Sequence, residues 1–270
     1  MENPLIESNI WKKIDLLEEA CHGLLVGTSS LEVPLEPGRS CKVVEPSEMP
    51  SKKGFSYCEG RAHMLHDLAS IELQAAELGV RTLIEFPNAE PDFRKRLAEI
   101  VLEEVTHLKL CLEGLEQLGY QWGDWPAQIK LWASTSKDDD LLDRIIIVHR
   151  YLEGAGLDAS TTLMRRLSGV ECKHLRKAIH RIAFDEEAHV EFGSIWFKKF
   201  CEEQKLDSDH AFKHRFQSLL PRLPKRLEKI NHPLRKKVGF TEQELKVLED
   251  TRTNWLNWNQ NFSSGPNKRH

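Results

Sequence analysis

The sequence predicts an all-α protein built on four long helices, paired into two hairpins that a long crossover joins. Three observations carry this. Apolar residues recur every three to four positions over long stretches instead of alternating. Glycine and proline gather between those stretches, at Phe86-Pro87-Asn88 to Pro91 and at Ser168-Gly169. Two Glu-x-x-His tetrapeptides occupy matching places in the two hairpins.

The elements follow in order. Residues 1–59 form an N-terminal unit, with an amphipathic helix over about 9–24 and an extended, wrapping segment from about 28. Residues 60–205 form the four-helix unit, with helices over about 60–86, 91–118, 138–167 and 170–204. Between the second and third helices lies a break holding Gly123, Trp125 and Pro126. At about 3.3 Å per residue it spans the length of a bundle. Residues 206–262 form a basic helical extension broken by Pro221, Pro224 and Pro233, with a capped helix start at Thr241-Glu242-Gln243-Glu244. Residues 263–270 read as a disordered tail.

Composition narrows the function classes. The 270 residues are 40% hydrophobic and 30% charged with a net charge of −4, which gives no overall pull toward nucleic acid or anionic lipid. No apolar run approaches the roughly 20 residues that cross a bilayer. The start, Met1-Glu2-Asn3-Pro4, lacks the pattern of a signal peptide, and the six cysteines are scattered without a CxxC, so a cytoplasmic protein with reduced thiols is expected.

The chemistry is read from spacing. Glu104-Val-Thr-His107 and Glu186-Glu-Ala-His189 each bring two side chains to one helix face. The tetrapeptide alone says little, since Glu171-Cys-Lys-His174 repeats it incidentally. Glu72 and Glu104, however, are symmetric about Asn88, and Glu153 and Glu186 are symmetric about the turn at Gly169 and Val170. Antiparallel packing therefore sets each pair at one height, and the arrangement repeats with an offset of 81 or 82 residues. All these positions lie on apolar stripes that offer no Lys or Arg, and buried carboxylates without a counterion are very costly. Bound metal is the simplest counterion. Two helices giving one Glu each and two giving Glu-x-x-His is the donor set of carboxylate-bridged di-iron and di-manganese sites. Glu72 and Glu153 are expected as terminal ligands, Glu104 and Glu186 as bridges, and His107 and His189 as one imidazole per ion, the choice of bridge resting on symmetry. Asp185 and Glu103 directly precede ligands and are expected to hold the opposite hairpin's histidine; the alternative is a surface acid in each case. His149, one turn before Glu153, is a candidate hydrogen-bonding group or proton carrier.

Taken together, Ile71-Glu72-Leu73-Gln74-Ala75, Glu103-Glu104-Val-Thr-His107, Trp125-Pro126-Ala127 with Leu131-Trp132, Glu153-Gly-Ala-Gly-Leu-Asp158 and Asp185-Glu186-Glu-Ala-His189-Val with Trp196-Phe197 resemble the ferritin-like superfamily. More narrowly, the chain resembles the bacterial domain of unknown function family 455 over roughly residues 60–205. The resemblance implies a ferritin-like four-helix bundle and O2 chemistry on two iron ions, iron with manganese being possible as well. It also implies an electron donor if the protein is an oxygenase. In the radical subunit of ribonucleotide reductase the radical Tyr lies four residues after the first ligand His, and here that position is Cys111, which disfavours a tyrosyl-radical protein. The terminal extensions argue against a storage cage.

The favoured expectation is an O2-dependent oxidoreductase or hydroxylase acting on an unidentified organic substrate. Ferroxidase or peroxide scavenging is the enzymatic alternative. A metal-stabilised binding module is the other, because residues 213–237 hold nine Lys or Arg against the single acid Glu228. In that reading Arg222, Lys225, Arg226, Arg235, Lys236 and Lys237 contact an anion or a tRNA-type partner, against the plainer reading of a solvated basic face. Gly154 and Gly156 beside Glu153 point either to a local helix distortion with a small cavity or to close packing over glycine. The tryptophans are expected to fasten loops onto the helices. The oligomeric state is open, a dimer being compatible with the sequence.

Overall fold

In the computed structural model, which describes residues 2–27 and 31–263, the chain is helical, and the only β pairing among those residues is one isolated bridge. Asn9 caps α1 (Ile10–Leu25) by accepting from the Lys12 amide at 3.0 Å. The helix lies on α2 (Cys58–Glu85) and α3 (Pro91–Gln117). Pro91 opens α3, where its missing N–H costs nothing and its fixed φ suits the first turn. Arg94 then donates to the carbonyls of Leu83 and Phe86 at 2.8 and 2.9 Å, which locks the tight turn between α2 and α3.

The third long stretch departs from the single helix expected over 138–167. Asp140 caps α4 (Leu141–Ile145), the backbone widens into a π-helix over Ile146–Glu153, and α5 (Gly154–Arg166) continues it. The C-terminal region packs against this segment. The Arg235 guanidinium reaches the π segment, where Nη1 donates to the Arg150 carbonyl at 2.8 Å while Nη2 pairs with Asp158 at 2.7 Å. A Cβ at position 154 would sit 1.9 Å from that Nη1, so only glycine admits the guanidinium. At Gly156, by contrast, a Cβ would meet nothing within 4 Å. Close packing therefore accounts for the first glycine and open space for the second.

The hairpin closes with α6 (Lys173–Glu203), and α3 and α6 carry the contact between hairpins. Beyond it come α7 (Ser208–Leu219), α8 (His232–Lys237) and α9 (Glu242–Ser263). The tail expected over 263–270 lies, apart from Ser263, outside the described residues.

Two loops are fastened across the helices. In the crossover, His63 stacks on Trp125 and His66 on Trp122, each with ring centroids 4.7 Å apart. Gln74 binds the same loop, donating to the Gln128 carbonyl at 2.9 Å and accepting from the Leu131 amide at 3.1 Å. The N-terminal segment pairs with the crossover at Val43 and Ala127. It is also tied to α2 by Lys13 and Arg39, which share the fully buried Glu77 at 2.6 and 2.5 Å. No described helix is long and apolar enough to cross a membrane.

Candidate metal centre

The register of the hairpins decides what meets at their centre. In α6, Gly193 lets the helix come so close to the π segment that a Cβ there would be 2.5 Å from the His149 Cβ. The result is that Glu72 on α2, Glu104 and His107 on α3, Glu153 at the end of the π segment, and Glu186 and His189 on α6 are all buried. Ligating atoms of Glu72, Glu104, His107 and Glu186 lie within 4.8 Å of one another, as do those of Glu104, Glu153 and His189. Glu104 belongs to both groups. Its Oε2 is 3.4 Å from His107 Nδ1 and its Oε1 is 2.9 Å from His189 Nδ1. The two imidazole centroids are 5.9 Å apart.

These atoms are close without satisfying one another. Glu72 Oε2, Glu104 Oε1, Glu186 Oε2 and His189 Nδ1 are buried and make no aligned hydrogen bond, although short contacts link His189 to Glu104 and, at 3.3 Å, His107 to Glu72. A buried polar atom left in that state costs about 1–3 kcal/mol, more when charged. Four of them aimed at one place, all of them oxygen or imidazole nitrogen, fit a donor set for cations.

The outer faces of the histidines are held crosswise. His107 Nε2–H donates to Asp185 Oδ2 at 2.9 Å, and His189 Nε2–H donates to Glu103 Oε2 at 2.7 Å. Each hairpin thus orients the other's imidazole. The anchors are themselves fixed: Arg181 pairs with Asp185, and Arg96 with Glu103 at 3.2 Å. With Nε2–H committed outward, a neutral imidazole presents its Nδ1 lone pair to the carboxylates. His149 Nδ1 lies 2.9 and 2.8 Å from the two oxygens of Glu153, so the pair can hold a proton between them.

Protonation in the absence of a cation follows from crowding. Burial, with the neighbouring Glu104, pushes Glu72 up to about 8. Burial likewise raises Glu186 well above the carboxylate range, with Glu104, Glu153 and Glu72 adding to the rise. Burial opposes charge on His107, yet Glu104 and Glu72 outweigh it and raise the imidazole to about 11. His189 is raised for the same reason, with Glu104 and Glu103 overcoming its burial. Glu104, facing both rings, is the carboxyl held below its ordinary range in spite of burial. Cys111, one turn beyond His107, is a buried thiol that burial keeps protonated.

A cavity of about 180 Å³ begins at these carboxylates and lies between α2 and the stretch from the π segment through α5. Glu72, Glu153 and Glu186 stand in its wall among Leu68, Val148, Leu152 and Ile182.

The basic residues expected to face an anionic partner are mostly paired with acids. Arg235 is buried, 3% exposed, and committed to Asp158 and the Arg150 carbonyl. Arg222 is bound to Asp139 at 2.6 Å, Lys236 pairs with Glu242 and Lys237 with Glu187. Acids from other segments thus offset part of this basic stretch. Lys225 is exposed, and Arg226 lies in the cavity wall.

Sequence reasoning missed the buried ion pairs that brace this centre. Arg150 is fully buried, bidentate to Glu244 at 2.6 and 2.8 Å, and enclosed by the rings of Phe197, Phe212 and Phe240. Its partner is 94 positions away, and no local pattern announces it. The Glu244 in the capping motif at Thr241 was the one available hint.

Residues 7–246 match the family described as Protein of unknown function (DUF455). An uncharacterized protein of Haemophilus influenzae is 31% identical over 214 residues, covering 75% of this chain and 72% of that relative. No solved structure matches the chain.

Proposed function

The chain belongs to the family described as Protein of unknown function (DUF455), and we propose that it is a ferritin-like four-helix-bundle protein that holds two iron ions, or iron with manganese, and acts as an O2-dependent oxidoreductase on an organic substrate. The observation that carries this reading is the convergence of four buried carboxylates and two imidazoles on a shared Glu104, with inward-facing atoms that lack hydrogen bonds. Glu72 and His107 would hold one ion, Glu153 and His189 the other, with Glu104 and Glu186 between them. Mixed oxygen and imidazole donors suit iron and manganese better than a structural zinc.

Two such ions, when bound, supply the redox equivalents that O2 reduction needs. The rest is the work of the chain. Asp185 and Glu103 keep each imidazole in one tautomer and orientation. The His149–Glu153 pair holds a proton at the edge of the cavity wall. The aliphatic lining keeps water scarce beside the carboxylates, which strengthens every charge interaction there.

The cavity favours an organic substrate over ferroxidase activity. Apart from the three inner carboxylates, the polar lining of this cavity among the described residues is limited to Ser160, Arg226 and Glu228. A binding module working through its basic lobe is disfavoured by the ion pairs that occupy Arg222, Arg235, Lys236 and Lys237.

Anaerobic loading with Fe(II) followed by rapid mixing with O2 tests the reading. O2 uptake should end once the bound pair is oxidised, with the iron retained by the protein and no uptake in Glu104→Ala. Continued oxidation of added Fe(II) would instead make the protein a ferroxidase, and absence of uptake in the wild type would remove the O2 chemistry.

A further inference from the structure

The cavity beside the carboxylates has a direction. Its inner wall, with Glu72, Glu153, Leu78 and Val148, is buried, whereas Ile71, Gly156 and Glu228 at its rim are exposed. Between these ends the lining is aliphatic: Leu68, Leu152, Leu163, Ile179 and Ile182. Ser160, the neutral polar residue of the wall, already donates its hydroxyl to the Leu157 carbonyl at 2.8 Å. The wall's one cation is Arg226, half-buried on the segment between α7 and α8. It differs from its basic neighbours Arg222, Arg235, Lys236 and Lys237, each of which is paired. Arg226 makes no ion pair or hydrogen bond among the described residues, and its Nε is buried without a partner.

A half-buried guanidinium without an ion pair, set in the wall of an aliphatic slot, is placed to receive an anion. Building on the proposed function, we propose that the substrate is an apolar monoanion: an aliphatic carboxylate whose head pairs with Arg226 and whose tail runs along the slot toward Glu72, Glu153 and Glu186. A carboxylate matches one guanidinium in a bidentate pair, while a phosphate dianion requires more donors than this wall offers. Glu228 at the rim further disfavours a second negative charge. The tail's end would stand beside the candidate metal ligands, with the charged head away from their carboxylates.

The probe is octanoate, with octanol as its uncharged counterpart, titrated calorimetrically into the full-length protein both metal-free and iron-loaded. Octanoate should bind saturably at one site per chain. Arg226→Gln should weaken octanoate by roughly tenfold and leave octanol within about twofold. Ala159→Phe, which fills the slot from α5, should abolish binding of both, with circular dichroism reporting that the variant is folded. Octanoate that does not bind, or that binds equally well to Arg226→Gln, overturns the proposal. The iron content of the same samples separates the two readings. Retained iron with no octanoate effect removes the substrate class alone, whereas absent iron removes the proposed function and leaves any Arg226-dependent binding standing.

Discussion

Asp185 and Glu103 are the residues on which the histidines' orientation rests, because each accepts the outer N–H of an imidazole from the other hairpin. Removing such an anchor leaves the ring free to turn. Asp185→Asn is expected to lower metal affinity by about 10–100-fold with little change in helix content, measured by competition with a chelator. Protonation belongs to the same scale. Without metal, Glu72 is held up to about 8 and His107 up to about 11, both above their ordinary values of 4.5 and 6.5. A raised pKa means that the folded state binds the proton more tightly than the unfolded chain does. The stabilisation from Glu72 is therefore present below 4.5 and lost as pH rises toward about 8, and that from His107 is present below 6.5 and lost toward about 11. Metal must displace these protons, so its binding should release them and tighten as pH rises from about 6 to 8. Thermal melts of metal-free and metal-loaded protein across that range should diverge, the loaded form gaining on the metal-free form. Melts that stay parallel would contradict the coupling.

At the scale of the element, the π-helix over Ile146–Glu153 sets the position of Glu153, and Arg235 donates to the Arg150 carbonyl within it. Gly154 and Gly156 make the test specific. Gly154→Ala forces a methyl into the Arg235 guanidinium and should cost about 1–3 kcal/mol in denaturant unfolding. Gly156→Ala meets nothing and should gain about 0.5–1 kcal/mol from helix propensity. The four long helical stretches were legible because apolar stripes and Pro or Gly turns are local signals; α3 starts at Pro91 as its sequence implies. The widened turn was legible only as one of two readings of Gly154 and Gly156, a local helix distortion or close packing over glycine. Its contact with Arg235 was not legible, because the guanidinium lies 85 positions away from the carbonyl that it binds.

At the scale of the whole molecule, the C-terminal helices brace the centre from outside. Arg150, between aromatic rings and against Glu244, joins the π segment to α9 through a buried ion pair. Such a pair is strongly destabilising to break singly, since the surviving charge stays buried. Glu244→Ala should therefore cost about 3–5 kcal/mol and shift the unfolding midpoint without changing its cooperativity. The basic segment shows the same dependence on distant partners. Nine cations in one stretch look like a binding face in one dimension, and only the fold brings Asp139, Asp158 and Glu187 against them. The six clustered Glu and His residues were legible for the opposite reason. Their symmetry about two turns is a property of the sequence, and antiparallel packing converts it directly into proximity.

The most direct test of the account is the metal content of the full-length protein after anaerobic Fe(II) loading and desalting, with Glu104→Ala treated alongside. The account predicts close to two iron ions per chain in the wild type, and loss of both in the variant because Glu104 faces both histidines. No bound iron, or equal iron in wild type and variant, would contradict it.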